Sequence, residues 1–255
     1  RVLVGAGPSA GSVVDRPPVD TPLSGGSKPA PMDPDLDRFD SRRSTVHAPS
    51  GLVATSQPLA AAAGRDVLAS GGNAFDAAVA TAAALNVVEP MSTGIGGDAF
   101  ALYRTADGDV GAMRACGPAP SGATRERVRS AVAAEAGVEP GAATMPEHGP
   151  HAVTVPGAAR GWEATVRELG RLSLGAVLEP AIRYATGGFP VTEVVATEWT
   201  DADERFDRPN GRDTFLFDGA TPSVGQQVRL PDLGETLRRV ADGGADALYE
   251  GALGE

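Results

Sequence analysis

Between Asn73 and Val88 the chain reads N-A-F-D-A-A-V-A-T-A-A-A-L-N-V-V. Asn73 with Asp76 three residues on is a capped helix start, and the helix pattern continues to Glu89-Pro90, where proline ends it. Alanine covers almost the whole circumference, so the helix has no polar face to turn toward water. Such a helix must be buried against close neighbours, and the rest of the chain has to supply them.

The neighbours are legible on both sides. "GLVA" from Gly51 is a short strand, and "PLAAAAGRDVLASGG" is a helix with Pro58 in its first turn and Gly71-Gly72 at its carboxyl end. After the loop Ser92–Asp98, "AFALYRT" and "DVGAMRA" flank "ADGD" and predict a β-hairpin. Residues 121–150 read as a surface helix and loop, and "HAVTVPG" as a further strand. "GAARGWEATVRELG" is a helix closed by Gly170, and Ser173 caps the next. There Leu174, Val177, Leu178, Ala181, Ile182 and Ala185 recur at helical spacing around an internal Pro180. From Asp201 the chain reads as loop until two helical pieces, "PDLGETLRRVADGG" and "ADALYEG". Helices interleaved with antiparallel ladders make a mixed α+β architecture.

Composition narrows the functional classes. A formal charge of -11, with 33 acidic against 22 basic residues and Lys28 the only lysine, argues against nucleic acid or an anionic membrane as partner. Hydrophobic residues at 42% suffice for a core, yet no run approaches the roughly 18–20 apolar residues of a membrane helix. The single cysteine, Cys116, has no internal partner, and neither it nor His47, His148 and His151 shows a metal-ligand spacing. No metal or cofactor is expected.

Two glycine clusters invite a phosphate-binding reading. "RVLVGAGPSAG" mimics a dinucleotide-binding turn, which requires a crossover helix within roughly 30 residues. Pro17, Pro18, Pro22, Pro29, Pro31 and Pro34 stand where that helix would be. Residues 1–45 are therefore expected to be a flexible leader, with "MDPDLDRF" at Met32 a natural initiation site. The leader's short apolar stretch, diluted by glycine, makes a poor secretory signal, and a cytoplasmic location is expected. In the second cluster, "STGIGGDAF", no lysine and no helix start follow Gly94, Gly96 and Gly97. A compact turn between helix and strand, with glycine allowing close approach or positive φ, is favoured over a phosphate cradle.

Three long segments occur in order: "GLVATSQPLAAAAGRDVLASGGNAFDAAVATAAALNVVEPMSTGIGGDAF", "VTVPGAARGWEATVRELGRLSLGAVLEPAIRYATGGFPV" and "LPDLGETLRRVADGGADALYEG". Together they resemble the amino-terminal, large-subunit part of the gamma-glutamyltranspeptidase family across most of residues 46–255. The resemblance implies an N-terminal nucleophile hydrolase fold, a four-layer αββα sandwich, of which these residues would be a partial domain. It also implies a precursor that cuts itself to free the amino group of a small-subunit threonine, which then activates its own hydroxyl. The acyl group, from glutathione or another small gamma-glutamyl compound, would be held as an ester and passed to an acceptor or to water. Neither Thr93, Thr124 nor Thr154 has that nucleophile's context, so no catalytic residue is expected among these 255. The partner implied is the small subunit from the same precursor.

On the same resemblance, Gly94, Gly96, Gly97 and Asp98 form a structural loop near the site. Arg114 matches the arginine that binds the substrate α-carboxylate in the transpeptidases proper. Ala115, however, stands where a glutamate belongs, and Gly117-Pro118 where Ala-Pro belongs. A gapless alternative runs through "GGD" and "GPAP" to the acylase branch of the family, in which Arg114 would be a plain strand-end residue.

Overall fold

The computed structural model describes residues 3–6, 46–203, 206, 209–250 and 253–254. The chain divides into two units, residues 1–6 with 51–255, and residues 7–50. Of the second, residues 46–50 are described and are exposed, without helix or strand. The first unit opens with β1 (Leu3–Ala6), paired antiparallel with β2 (Gly51–Ala54). The remainder of the expected leader, with the glycines after Ala6, lies outside the described residues.

Two helices follow, α1 (Pro58–Ala69) and α2 (Ala74–Val88). The capping box forms as expected: Asn73 Oδ1 accepts from the amides of Phe75 and Asp76, and the Asp76 carboxylate accepts from Asn73 N. Asp76, fully buried, also accepts from Arg171 N at 2.9 Å and Leu172 N at 3.4 Å, so one side chain fastens the start of α2 to a turn 95 residues away. The alanine helix is the packing centre its composition requires. Ala77, Ala80, Ala83, Ala84, Val87 and Val88 are fully buried, and α1, α4 (Ala158–Leu169) and α5 (Leu174–Gly187) lie against it. Small residues let the backbones approach: a methyl on Gly64 of α1 would collide with Thr81 Oγ1 and stand 3.1 Å from Ala77 O.

The expected hairpin is β3 (Ala99–Arg104) with β4 (Val110–Ala115), in full register from Ala99↔Ala115 to Arg104↔Val110. Its inner face rests on α4 through Met113 and Ala115, while the Tyr103 ring meets Phe75 at the start of α2 edge-on at 5.4 Å. The surface helix is α3 (Arg125–Ala136), capped by Thr124 and closed by Gly137 in the left-handed region at φ 66°. In α5, Val177, Leu178, Ala181 and Ala185 are buried as the stripe predicts, Pro180 lies within the helix, and α8 (Pro231–Gly243) packs along it.

Three expectations change. "HAVTVPG" is not a strand: residues Pro150–Ala152 make a 3₁₀ turn, and the extended chain beyond bonds once to its neighbour, Val155 N to Pro118 O at 3.0 Å. Pro156 has no amide to continue a ladder. Beyond the amphipathic stripe stand α6 (Glu193–Asp201) and α7 (Pro209–Phe215), the second in a stretch read as loop. They enclose Trp199, whose Nε1 donates to Phe215 O at 3.0 Å and whose rings cross those of Phe215 and Phe217 edge-on. Finally, β5 (Phe189–Pro190) and β6 (Gln227–Val228) form a third ladder, and every sheet among the described residues has two strands. The architecture is mixed helix and strand, α+β in type, and closes with α9 (Asp246–Tyr249). No helix among the described residues is long and apolar enough to cross a membrane.

Candidate functional site

The glycine loop begins where α2 ends. Glu89 N closes the helix on Leu85 O, and Glu89 O then accepts from Ser92 N and Thr93 N, which folds the chain back on itself. Asn86 Nδ2 reaches forward to Thr93 Oγ1 at 2.7 Å. Gly97 N bonds to Gly94 O at 3.0 Å, and Gly97 O accepts from both Gly157 N and Ala158 N at 3.0 Å. Those amides are orphan donors of α4, whose N-terminal residue Gly157 has no side chain to cap them. The loop is thus a backbone cap supplied from 60 residues upstream. No phosphate has to be invoked to satisfy these donors.

Glycine is used more sparingly here than the sequence suggests. None of Gly94, Gly96 and Gly97 lies at positive φ, and an added methyl on Gly94 or Gly96 would meet nothing within 4 Å. Only Gly97 is tight, at 3.2 Å from Gly94 O. Close approach is required instead at Gly157 and Gly161, the face that α4 turns to β4. A methyl on Gly157 would run into the Ala115 carbonyl, and one on Gly161 into the Ala115 side chain. Ala115 is thus the strand residue against which α4 closes.

Asp98 is exposed and accepts from Thr154 Oγ1 at 3.3 Å, joining the loop to the segment before α4. That segment is held from its other side by Tyr249, whose hydroxyl donates to Pro156 O at 2.6 Å under the Arg160 guanidinium, which lies 5.0 Å from its ring centre. Burial pushes the Tyr249 phenol up from its usual range. Arg114 projects from the outer face of the hairpin, opposite Phe100, and forms no ion pair among the described residues. Its neighbours there are apolar and exposed: Phe100 at 67%, Leu102 at 86% and Val110 at 76%. The structure thus brings Gly97, Asp98 and Thr154 together, and places Arg114 near the end of the returning strand β4, paired with Phe100 two residues past Asp98.

Sequence reasoning missed a small cavity of 230 Å³ behind the loop, walled by Thr93, Ile95, Phe215, Leu230 and Leu233. Asn86 lines it, with an Oδ1 that is buried and has no hydrogen-bond partner among the described residues. An asparagine in an otherwise apolar helix end was the available signal. The histidines take no part: His148 is exposed, and His151 is 3.3 Å from Glu135. Cys116 is a free, half-buried thiol, and no group of three or more metal-ligating side chains occurs among the described residues.

The gamma-glutamyltranspeptidase family pattern matches residues 60–255, and the chain belongs to that family. It is 35% identical over 218 residues to the glutathione hydrolase proenzyme of Bacillus subtilis (strain 168), covering 84% of this chain and 36% of that protein. It is 37% identical over 228 residues to the acylase ACY 1 proenzyme of Pseudomonas sp. (strain SE83), covering 89% and 40% respectively. The crystal structure of cephalosporin acylase from Bacillus halodurans superimposes with a TM-score of 0.76 at 43% identity, over 87% of this chain and 41% of that one. The chain therefore spans well under half the length of each of these relatives.

Proposed function

We propose that residues 46–255 are the large-subunit portion of a cofactor-free gamma-glutamyl hydrolase or transferase acting on glutathione and related compounds. In this reading the nucleophile is the N-terminal threonine of a small subunit cut from the same precursor. Its amino group takes the proton of its own hydroxyl as the oxygen attacks the gamma-carbonyl, then passes that proton to the amide nitrogen as the C–N bond breaks and the amine leaves, and the resulting ester is resolved by an amino acid, a peptide or water. The complete fold is the four-layer αββα sandwich, with the outer face of β3-β4 covered by small-subunit strands. Arg114 then stands at the joint between the subunits and grips the substrate α-carboxylate, a task suited to its planar fork.

The observation that carries this reading is the outward-facing Arg114 on β4, paired with the exposed Phe100 of β3 just past the family's glycine loop. In the complete, self-processed protein, Arg114→Ala should lower kcat/KM for a gamma-glutamyl anilide by about 2–4 kcal/mol, the loss of a buried charge-assisted pair. Arg114→Lys should be nearly as harmful, and a glutaryl anilide, which lacks the α-carboxylate, should hardly respond. Equal losses on both substrates would make the arginine a structural residue. A second reading, an acylase with a different acyl donor, is favoured by Ala115 and by the 43% identity to the Bacillus halodurans protein. It predicts slow turnover of gamma-glutamyl anilide by the unmodified protein and little effect of either Arg114 substitution.

A further inference from the structure

A second cavity opens beside α3, and Thr154 at its edge donates to Asp98 of the glycine loop. The cavity is an open groove of 490 Å³ between α3 and the segments Ala143–Met145 and Pro150–Thr154. Cavities of about 300–1,000 Å³ are the usual size for small-molecule sites. The wall contributed by α3 is Arg125, Val128, Arg129 and Val132, spaced i, i+3, i+4 and i+7, which is one helix face. Val132 is buried and Val128 half-buried, so the floor is apolar, while the two exposed arginines stand one turn apart at the rim.

The charge pattern of this groove is the reverse of the molecule's. The protein carries 33 acidic residues and a net charge of -11, yet no aspartate or glutamate lines the groove. Among the described residues neither Arg125 nor Arg129 forms an ion pair, in contrast to Arg65, Arg160, Arg167, Arg183, Arg238 and Arg239, which all do. Glu126 on the same helix makes no ion pair with either arginine among the described residues, and Glu135 is 3.3 Å from His151. Two adjacent guanidinium groups above an apolar floor fit a molecule with an anionic head and an apolar body.

We propose that this groove binds an amphiphilic carboxylate. Its head bridges Arg125 and Arg129, and its hydrocarbon or aromatic body lies on Val128, Val132 and Met145. A planar carboxylate matches the guanidinium fork, and the apolar floor discriminates against free inorganic anions, which have no surface to bury there. Arg114 is not among the groove's lining residues, and the proposal does not depend on the acyl-transfer reading.

The test is isothermal titration of the full chain with 4-phenylbutyrate, 4-phenylbutylamine and inorganic phosphate. Saturable one-site binding is expected for the carboxylate, with at least about tenfold weaker binding of the amine and of phosphate. Arg125→Gln with Arg129→Gln, at exposed positions where the fold is expected to persist by circular dichroism, should weaken the carboxylate at least about tenfold. Arg114→Ala should leave its affinity unchanged. Absence of saturable binding, equal binding of acid and amine, indifference to the double substitution, or loss of binding in Arg114→Ala would each overturn the proposal.

Discussion

Replacing Gly157 with alanine probes the contact on which the hairpin's placement depends. The new methyl would stand 2.7 Å from Cys116 Cα and nearer still to the Ala115 carbonyl, where ordinary carbon contacts begin near 3.5 Å. Both obstacles are backbone, so relief requires β4 and α4 to separate by most of an ångström. Gly157 has φ -115° and ψ -23°, which alanine adopts freely, so the effect is steric and not conformational. Overpacking of this kind costs about 3 kcal/mol at the upper end of its usual range, or about 6–12 °C in Tm at about 2–4 °C per kcal/mol for a chain of this size. Gly161→Ala should be milder, because, although its methyl would collide with the Ala115 Cβ, alanine gains about 1 kcal/mol of helix propensity there. Gly96→Ala, whose methyl would touch nothing, should stay within about 0.5 kcal/mol. Thermal unfolding followed by circular dichroism ranks the three. A Gly157→Ala protein that melts with the unmodified one, or a Gly96→Ala protein that falls as far, would refute the argument.

Asp76→Ala should cost about 2–3 kcal/mol in denaturant titration, since it removes the capping box and the part-buried bonds to the amides of Asn73, Arg171 and Leu172. Burial pushes the Glu89 carboxyl up from its ordinary range, against the Ser56 hydroxyl that donates to it at 2.9 Å. Its contribution is therefore fully present below the unfolded-state value and is lost as pH rises through the folded-state value. Glu89→Gln should accordingly raise Tm at neutral pH and converge with the unmodified protein under acid conditions, which a Tm-versus-pH series would show. Phe100→Ser with Leu102→Ser should leave Tm nearly unchanged while reducing self-association of the isolated chain in sedimentation velocity, because both side chains are exposed on an unpaired ladder.

Local rules carried far in this chain where the determinants were themselves local. The Asn73–Asp76 capping box, the Gly170 helix stop, the Ser173 cap and the stripe through Val177 and Ala185 are all settled within a few residues of sequence. α7 escaped because Pro209–Phe215 is short and polar and is held by Trp199, a contact that leaves no periodic trace. Pro156 hid the end of the supposed strand in "HAVTVPG", where apolar alternation outweighed one missing donor. At the candidate site the glycines of "STGIGG" were visible, but not which glycine backbone another element needs to approach. The tight positions proved to be Gly157 and Gly161, on a helix whose partner strand lies more than forty residues earlier.

The carbonyl of Gly97 gives this family member a built-in reporter. Because it accepts from Gly157 and Ala158, those two amides are shielded from solvent only while the upstream loop stays seated. Their deuterium uptake therefore times the loop's excursions, at a place remote in sequence from the residues that move. Should an acyl donor or a processed small subunit clamp the loop, exchange at Gly157 and Ala158 would slow before any change reached the buried amides of α2. Motion of the loop can then be followed without a label, a substrate or a turnover.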